Sequence, residues 1–175
     1  ILNAGSNADT LDFSGMASGR SVTLTGVAAN GFAGNESGSG ITFSGINVMV
    51  GSASTDSLTG ANQTAQFELD GTDRYLTGGF ALDFSSFETL SGGTDSDTFT
   101  FLGTTVFSGS ANGGAGYDTL DYALYNTARS IVLTGVGLVD GFNGTDPSLT
   151  AGFSNINKVI ASPFAGGSLR ARKAR

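Results

Sequence analysis

Any chemistry in this 175-residue chain has to come from carboxylates, hydroxyls, lysines and arginines, because it contains neither cysteine nor histidine. Without thiols there is no disulfide framework and no thiolate nucleophile or metal ligand. Without imidazole, a serine triad and a zinc-peptidase site are both excluded. The densest group of remaining donors is Gly113-Gly114-Ala115-Gly116-Tyr117-Asp118-Thr119-Leu120-Asp121, which fits the pattern Gly-Gly-x-Gly-x-Asp-x-apolar-x at every fixed position. Glycines there let backbone carbonyls turn inward, and the aspartate adds a hard oxygen. Gly92-Gly93-Thr94-Asp95-Ser96-Asp97-Thr98-Phe99-Thr100 is a near match with Asp95 at the third glycine, while Gly51 to Leu58 and Ala4 to Leu11 are eroded versions. If the spacing from Asp97 to Asp118 is one coil of the chain, Asp95, Asp97 and Asp118 can share a cation. Otherwise each run is a tight turn with a solvated aspartate.

The elements that would carry these runs are short strands. Apolar-polar-apolar units recur at Leu11-Asp12-Phe13, Val22-Thr23-Leu24, Ile41-Thr42-Phe43, Phe67-Glu68-Leu69, Leu82-Asp83-Phe84, Phe99-Thr100-Phe101 and Leu120-Asp121-Tyr122. Residues i and i+2 of a strand share a face, so each unit buries two large side chains and exposes the middle one. Ile131-Val132-Leu133 is a related unit with an apolar centre, and Gly, Ser, Asn and Asp between the units supply turns. No sustained 3.6-residue periodicity appears, and Tyr122 to Ala128 is the nearest helical candidate. Glycine, serine and threonine make up about two-fifths of the chain, yet 39% is hydrophobic, so neither a disordered linker nor a helical bundle fits. The expectation is an all-β protein.

A long repeat narrows the architecture. Asp9-Thr10-Leu11-Asp12 returns as Asp118-Thr119-Leu120-Asp121, Arg20-Ser21 as Arg129-Ser130, and Leu24-Thr25-Gly26-Val27 as Leu133-Thr134-Gly135-Val136, each 109 residues later. One residue further out of step, Gly31-Phe32 matches Gly141-Phe142, and Phe43-Ser44 with Ile46-Asn47 matches Phe153-Ser154 with Ile156-Asn157. Residues 1–169 therefore read as one domain with about one and a half copies of a ~110-residue unit, followed by a basic tail over 170–175. Such a pattern predicts a parallel β-solenoid of about eight coils at roughly 20 residues per coil, with a β-sandwich of the same strands as the alternative. No proline interrupts residues 1–146, which leaves most strands free to pair on both edges.

The nonapeptide patches resemble the repeats-in-toxin family of calcium-binding β-rolls. That resemblance implies Ca²⁺ held by Asp95, Asp97 and Asp118 with the backbone of Gly114 and Gly116, although the family stacks such nonapeptides in tandem and each stands alone here. The chain up to Leu169 is similar to the long strand repeats of giant bacterial surface proteins, adhesin-like and related to filamentous haemagglutinin. Ser57-Leu58-Thr59-Gly60-Ala61-Asn62, Phe84 to Gly93, Gly113 to Tyr122 and Phe153-Ser154-Asn155-Ile156-Asn157 carry the likeness. It implies an extracellular, cell-surface structural protein, a stalk, adhesin or fibre, with no enzymatic activity. Arg170 to Arg175 depart from it, standing where the pattern places another Leu-Thr-Gly-Ala-Asn stretch.

Charge and chain ends suggest how copies could meet. All 15 acidic residues precede residue 147, whereas four of the eight basic residues are Arg170, Arg172, Lys173 and Arg175. An acidic body repels nucleic acid, and the short apolar runs cannot span a bilayer as a helix. Ile1-Leu2-Asn3, without a methionine or a basic leader, reads as the start of a processed piece of something longer, and it carries no polar cap. The expected partner is another copy of the chain, with the basic tail on an acidic neighbour and Ile1, Leu2 and Asn3 at the other end. Tyr75, Tyr117, Tyr122 and Tyr125 offer an alternative surface for cell-surface or matrix glycans, although tyrosines on a β surface usually pack. Arg20, Arg74, Arg129 and Lys158 are scattered, and the recurrence of Arg20 as Arg129 suits pairing with acids on adjacent coils better than catalysis.

Overall fold

A computed structural model describes residues 2–171 as nineteen β-strands with no helix. The larger sheet runs β1 (Leu2–Asn3), β5 (Ile41–Ile46), β4 (Gly31–Glu36), β3 (Ser21–Ala28), β7 (Ser57–Thr59), β11 (Thr89–Gly93), β13 (Ser110–Gly114), β17 (Leu149–Ile156), β16 (Phe142–Asp146), β15 (Ser130–Val136), β19 (Ser168–Ala171). The smaller runs β18 (Lys158–Ile160), β14 (Thr119–Asp121), β12 (Asp97–Phe101), β8 (Ala65–Leu69), β9 (Arg74–Thr77), β10 (Phe80–Ser85), β6 (Val48–Val50), β2 (Thr10–Asp12). Neither sheet closes on itself. Each ends in two strands with a single partner.

The predicted apolar-polar-apolar units all fall on or at the end of strands, and their flanking side chains make the core. Val22, Leu24, Phe67, Leu69, Leu82, Phe84, Phe99 and Phe101 are all buried, and they belong with side chains of both sheets to one hydrophobic cluster. Successive parallel strands stack apolar on apolar: Leu58, Leu90, Ala111 and Phe153 are register partners in the larger sheet. Phe67, Phe99, Leu120 and Val159 align in the smaller one. The Phe67 and Phe99 rings stack with centroids 4.8 Å apart, and Phe101 stacks on Tyr122 at 4.9 Å.

Uniformly parallel stacking is not what the strands do. Parallel ladders join β7, β11, β13 and β17, and also β8, β12, β14 and β18. Antiparallel excursions interrupt them at β3–β4–β5, β8–β9–β10 and β15–β16–β17. The sheets are therefore mixed. Turn chemistry explains one excursion directly: Gly78 and Gly79 connect β9 to β10 with φ of 58° and 81°, a two-residue turn with both residues left-handed, which joins antiparallel neighbours. The excursions β3–β4–β5 and β15–β16–β17 occupy the same place in the two copies of the long repeat. Tyr122 to Ala128 forms turns rather than a helix, with the Tyr125 amide donating to the Tyr122 carbonyl at 3.0 Å.

Candidate functional site

The glycine-aspartate runs form the corners where the chain passes from one sheet to the other. There the aspartates make a ladder. The Ala65 amide donates to Asp97 Oδ1 at 2.9 Å, the Asp97 amide to Asp118 Oδ1 at 2.8 Å, and the Asp118 amide to Asn157 Oδ1 at 2.9 Å. Each side chain thus accepts a backbone N–H from the neighbouring strand level, and the 21 residues from Asp97 to Asp118 equal the offset between parallel register partners on β12 and β14. A sister ladder runs elsewhere along the stack: the Arg20 amide donates to Asp56 Oδ1, and the Asp56 amide to Glu88 Oε2 at 2.8 Å. Glycine stands five residues before each of these aspartates. A Cβ on Gly51, Gly92 or Gly113 would collide with a neighbouring coil's carbonyl and press on Asp56, Asp97 or Asp118 respectively.

The second carboxylate oxygens differ. Asp56 Oδ2 accepts from the Ser52 amide at 2.7 Å and its hydroxyl at 2.9 Å. Asp97 Oδ2 and Asp118 Oδ2 are buried without a partner. Burial pushes the Asp97 carboxyl up to about 7, aided by the Asp118 charge, and pushes Asp118 up to about 6. Both groups disfavour ionisation chiefly because they lie out of water, with a lesser push on Asp97 from the Asp118 charge and on Asp118 from the Asp140 charge.

Asp97 and Asp118 are therefore brought together, but neither is the solvated turn aspartate that the sequence allowed. Asp95 is exposed on the turn before Asp97. Gly114 and Gly116 have φ of 94° and 129°, and each sits against the backbone of the preceding coil, at Gly93 and Asp95. Among the described residues no three acidic side chains cluster as a metal site. A hydrogen-bonded corner accounts for the same residues without an ion.

Of the residues expected to mediate assembly, the described ones, Leu2, Asn3 and Arg170, lie at the sheet edges. Leu2 and Asn3 are exposed on edge strand β1, and Arg170 is exposed on edge strand β19 at the opposite side of the same sheet. Ile1, Arg172, Lys173 and Arg175 lie outside the described residues. The body arginines do pair with acids, though within hairpins rather than between coils. Arg20 meets Glu36 at 3.7 Å, Arg74 meets Glu68 at 2.6 Å, and Arg129 meets Asp146 at 2.7 Å. Arg129 also lies 4.7 Å from the Tyr125 ring centroid. Tyr75, Tyr122 and Tyr125 are buried, which leaves Tyr117 as the exposed tyrosine. Glu88 and Asn157 join the ladders without a glycine-aspartate run of their own, whereas Ser52 and Asp56 lie in the eroded run Gly51 to Leu58; the glycine five positions before each ladder aspartate is the signal for the corners.

No helix among the described residues is long and apolar enough to cross a membrane. No protein-family model, curated protein or solved structure matches this chain.

Proposed function

We propose that this chain is a structural segment of an extracellular bacterial surface fibre or adhesin, a β-solenoid with antiparallel excursions whose ends stack on further copies. The observation that carries the reading is the pairing at the sheet margins. Among the described residues, β1 and β19 each have one neighbour, at opposite edges of one continuous eleven-stranded sheet. An exposed strand edge is a template for another strand unless it is capped. A head-to-tail contact between different ends grows as a filament when the rotation between copies does not close a ring. The Leu2 edge is apolar and the Arg170 edge basic, and the acidic residues of the body supply the counter-charge. No catalytic role is proposed: the stacked carboxylates Asp97 and Asp118 are buried, out of a substrate's reach.

Sedimentation velocity tests this. At low salt the chain should form concentration-dependent linear oligomers, weakened by 0.5 M salt and by deletion of Arg170 to Arg175. A monomer at every concentration, indifferent to the deletion, would overturn it. A monomeric stalk stabilised by calcium is the second reading, favoured by the free oxygens on Asp97 and Asp118. Binding to the folded state alone must raise the melting temperature. A calcium-dependent rise abolished by Asp118→Asn supports the stalk, and identical melts in calcium and EDTA remove it.

A further inference from the structure

The same hairpin face is covered in one copy of the repeat and bare in the other. In the first copy Phe32 and Leu58 are 0% exposed; their counterparts Phe142 and Leu169 are 44% and 61% exposed. Val27 lies against the turn at Gly78, whereas its counterpart Val136 is 74% exposed. What covers the first copy is the excursion β8–β9–β10. Tyr75 on β9 meets the Phe32 ring edge-on at 5.5 Å, and Phe84 on β10 is the register partner of Met49 on β6.

The strand edge that receives β10 is also present twice. β6 lies between β2 and β10, while among the described residues its counterpart β18 pairs with β14 alone. Beside β18 an apolar hollow is lined by Leu133, Phe142, Phe153, Ile156, Val159 and Leu169. One position differs in charge. β10 sets Asp83 opposite Val48, and the residue matching Val48 in the second copy is the exposed Lys158. A strand with the β10 sequence laid along β18 in the same register places a carboxylate beside that ammonium and Phe84 beside Val159. Opposite charges on directly paired positions support a strand pair.

We propose that the free edge of β18, with Leu133, Phe142 and Leu169, is a docking surface for an antiparallel β-element of the β8–β10 kind, bearing an aromatic inner face and an acidic residue opposite Lys158. The occupant is a polypeptide of this repeat's own chemistry. An end-to-end neighbour stacking β1 on β19 would extend the larger sheet and leave this slot in the smaller one unfilled. The proposal therefore rests on the repeat and not on filament growth.

A labelled synthetic peptide of residues 65–85 titrated against the full chain tests it. Saturable binding is expected, weakened at least tenfold by Lys158→Glu and by Phe142→Ser. An Asp83→Lys peptide should regain affinity for the Lys158→Glu chain. As a second measurement, the sequence of residues 59–101 is fused in phase after Leu169. Apolar-dye fluorescence should then fall, and residues around Phe142 should gain protection from hydrogen exchange. Absence of saturable binding together with an unprotected Phe142 in the fusion overturns the proposal, as does binding indifferent to the charge swap. If the chain alone forms a dimer that Phe142→Ser dissolves, the face belongs to a second copy and the proposal also fails. Sedimentation of the tail-deleted chain reads filament growth separately, so the two failures are distinguishable.

Discussion

The two copies of the repeat use nearly the same residues to build the same hairpins, and they end in different environments. In the first copy a buried Glu36 receives the Ser39 hydroxyl and the Gly38 and Ser39 amides, with Arg20 at 3.7 Å. In the second, Asp146 receives the Ser148 hydroxyl and amide and a two-toothed contact from Arg129 at 2.7 and 3.3 Å. Above these matched ion pairs lie unmatched apolar faces: Phe32 is sealed by Tyr75, while Phe142 meets solvent. A repeat thus fixes local strand pairing on its own. Burial depends on which other segment happens to lie across the core.

Substitutions at matched positions sharpen that contrast. Phe32→Ala should cost about 3–5 kcal/mol and Phe142→Ala less than about 1 kcal/mol, as chemical denaturation can measure, because only the first opens a cavity. Equal losses would mean that the second face is covered in solution. Arg129→Ala should cost about 3 kcal/mol, since it leaves Asp146 buried without its partner and removes a ring contact. Arg20→Ala should cost less, about 1–2 kcal/mol in the same assay, because Glu36 keeps its hydrogen bonds from Gly38 and Ser39.

Smaller effects separate the two kinds of corner. Asp97→Asn keeps an acceptor for the Ala65 amide and removes a buried charge, as Asn157 already does in its own coil. It should therefore raise stability at pH 8 by about 1 kcal/mol, or a melting temperature gain of about 2–4 °C. Asp56→Asn should not, because Ser52 already satisfies the carboxylate there. The pH dependence follows from the sign of the shifts. Asp97 and Asp118 hold protons more tightly folded than unfolded, so their contribution is complete below about pH 4 and is lost as pH rises through about 6 and 7. The wild-type chain should melt higher at pH 5 than at pH 8, and Asp97→Asn should flatten that difference. A melting temperature that rises between pH 5 and pH 8 would contradict the carboxylate ladder.

Much of this was legible in the sequence. The unit Phe99-Thr100-Phe101 announces a strand, and Asp9-Thr10-Leu11-Asp12 recurring at Asp118 announces the repeat, because period-2 burial leaves a local mark. Gly78-Gly79 also specified its hairpin, but solenoid periodicity drew attention to parallel pairing instead. The ladder was half visible. Glycine before Asp97 and Asp118 marked the corners, yet whether an aspartate faces water, an ion or the next coil's amide depends on contacts that no local pattern encodes. The bare face was hidden for the same reason. Phe32 and Phe142 sit in matching sequence contexts, and only Tyr75, far along the chain, distinguishes them.

Negative-stain electron microscopy at low salt tests the central claim most directly, namely that open sheet edges at opposite ends join copy to copy. Unbranched filaments should appear, with an axial repeat of about 50 Å from eleven strands spaced ~4.8 Å apart. Isolated compact particles at every concentration, or closed rings, would contradict it.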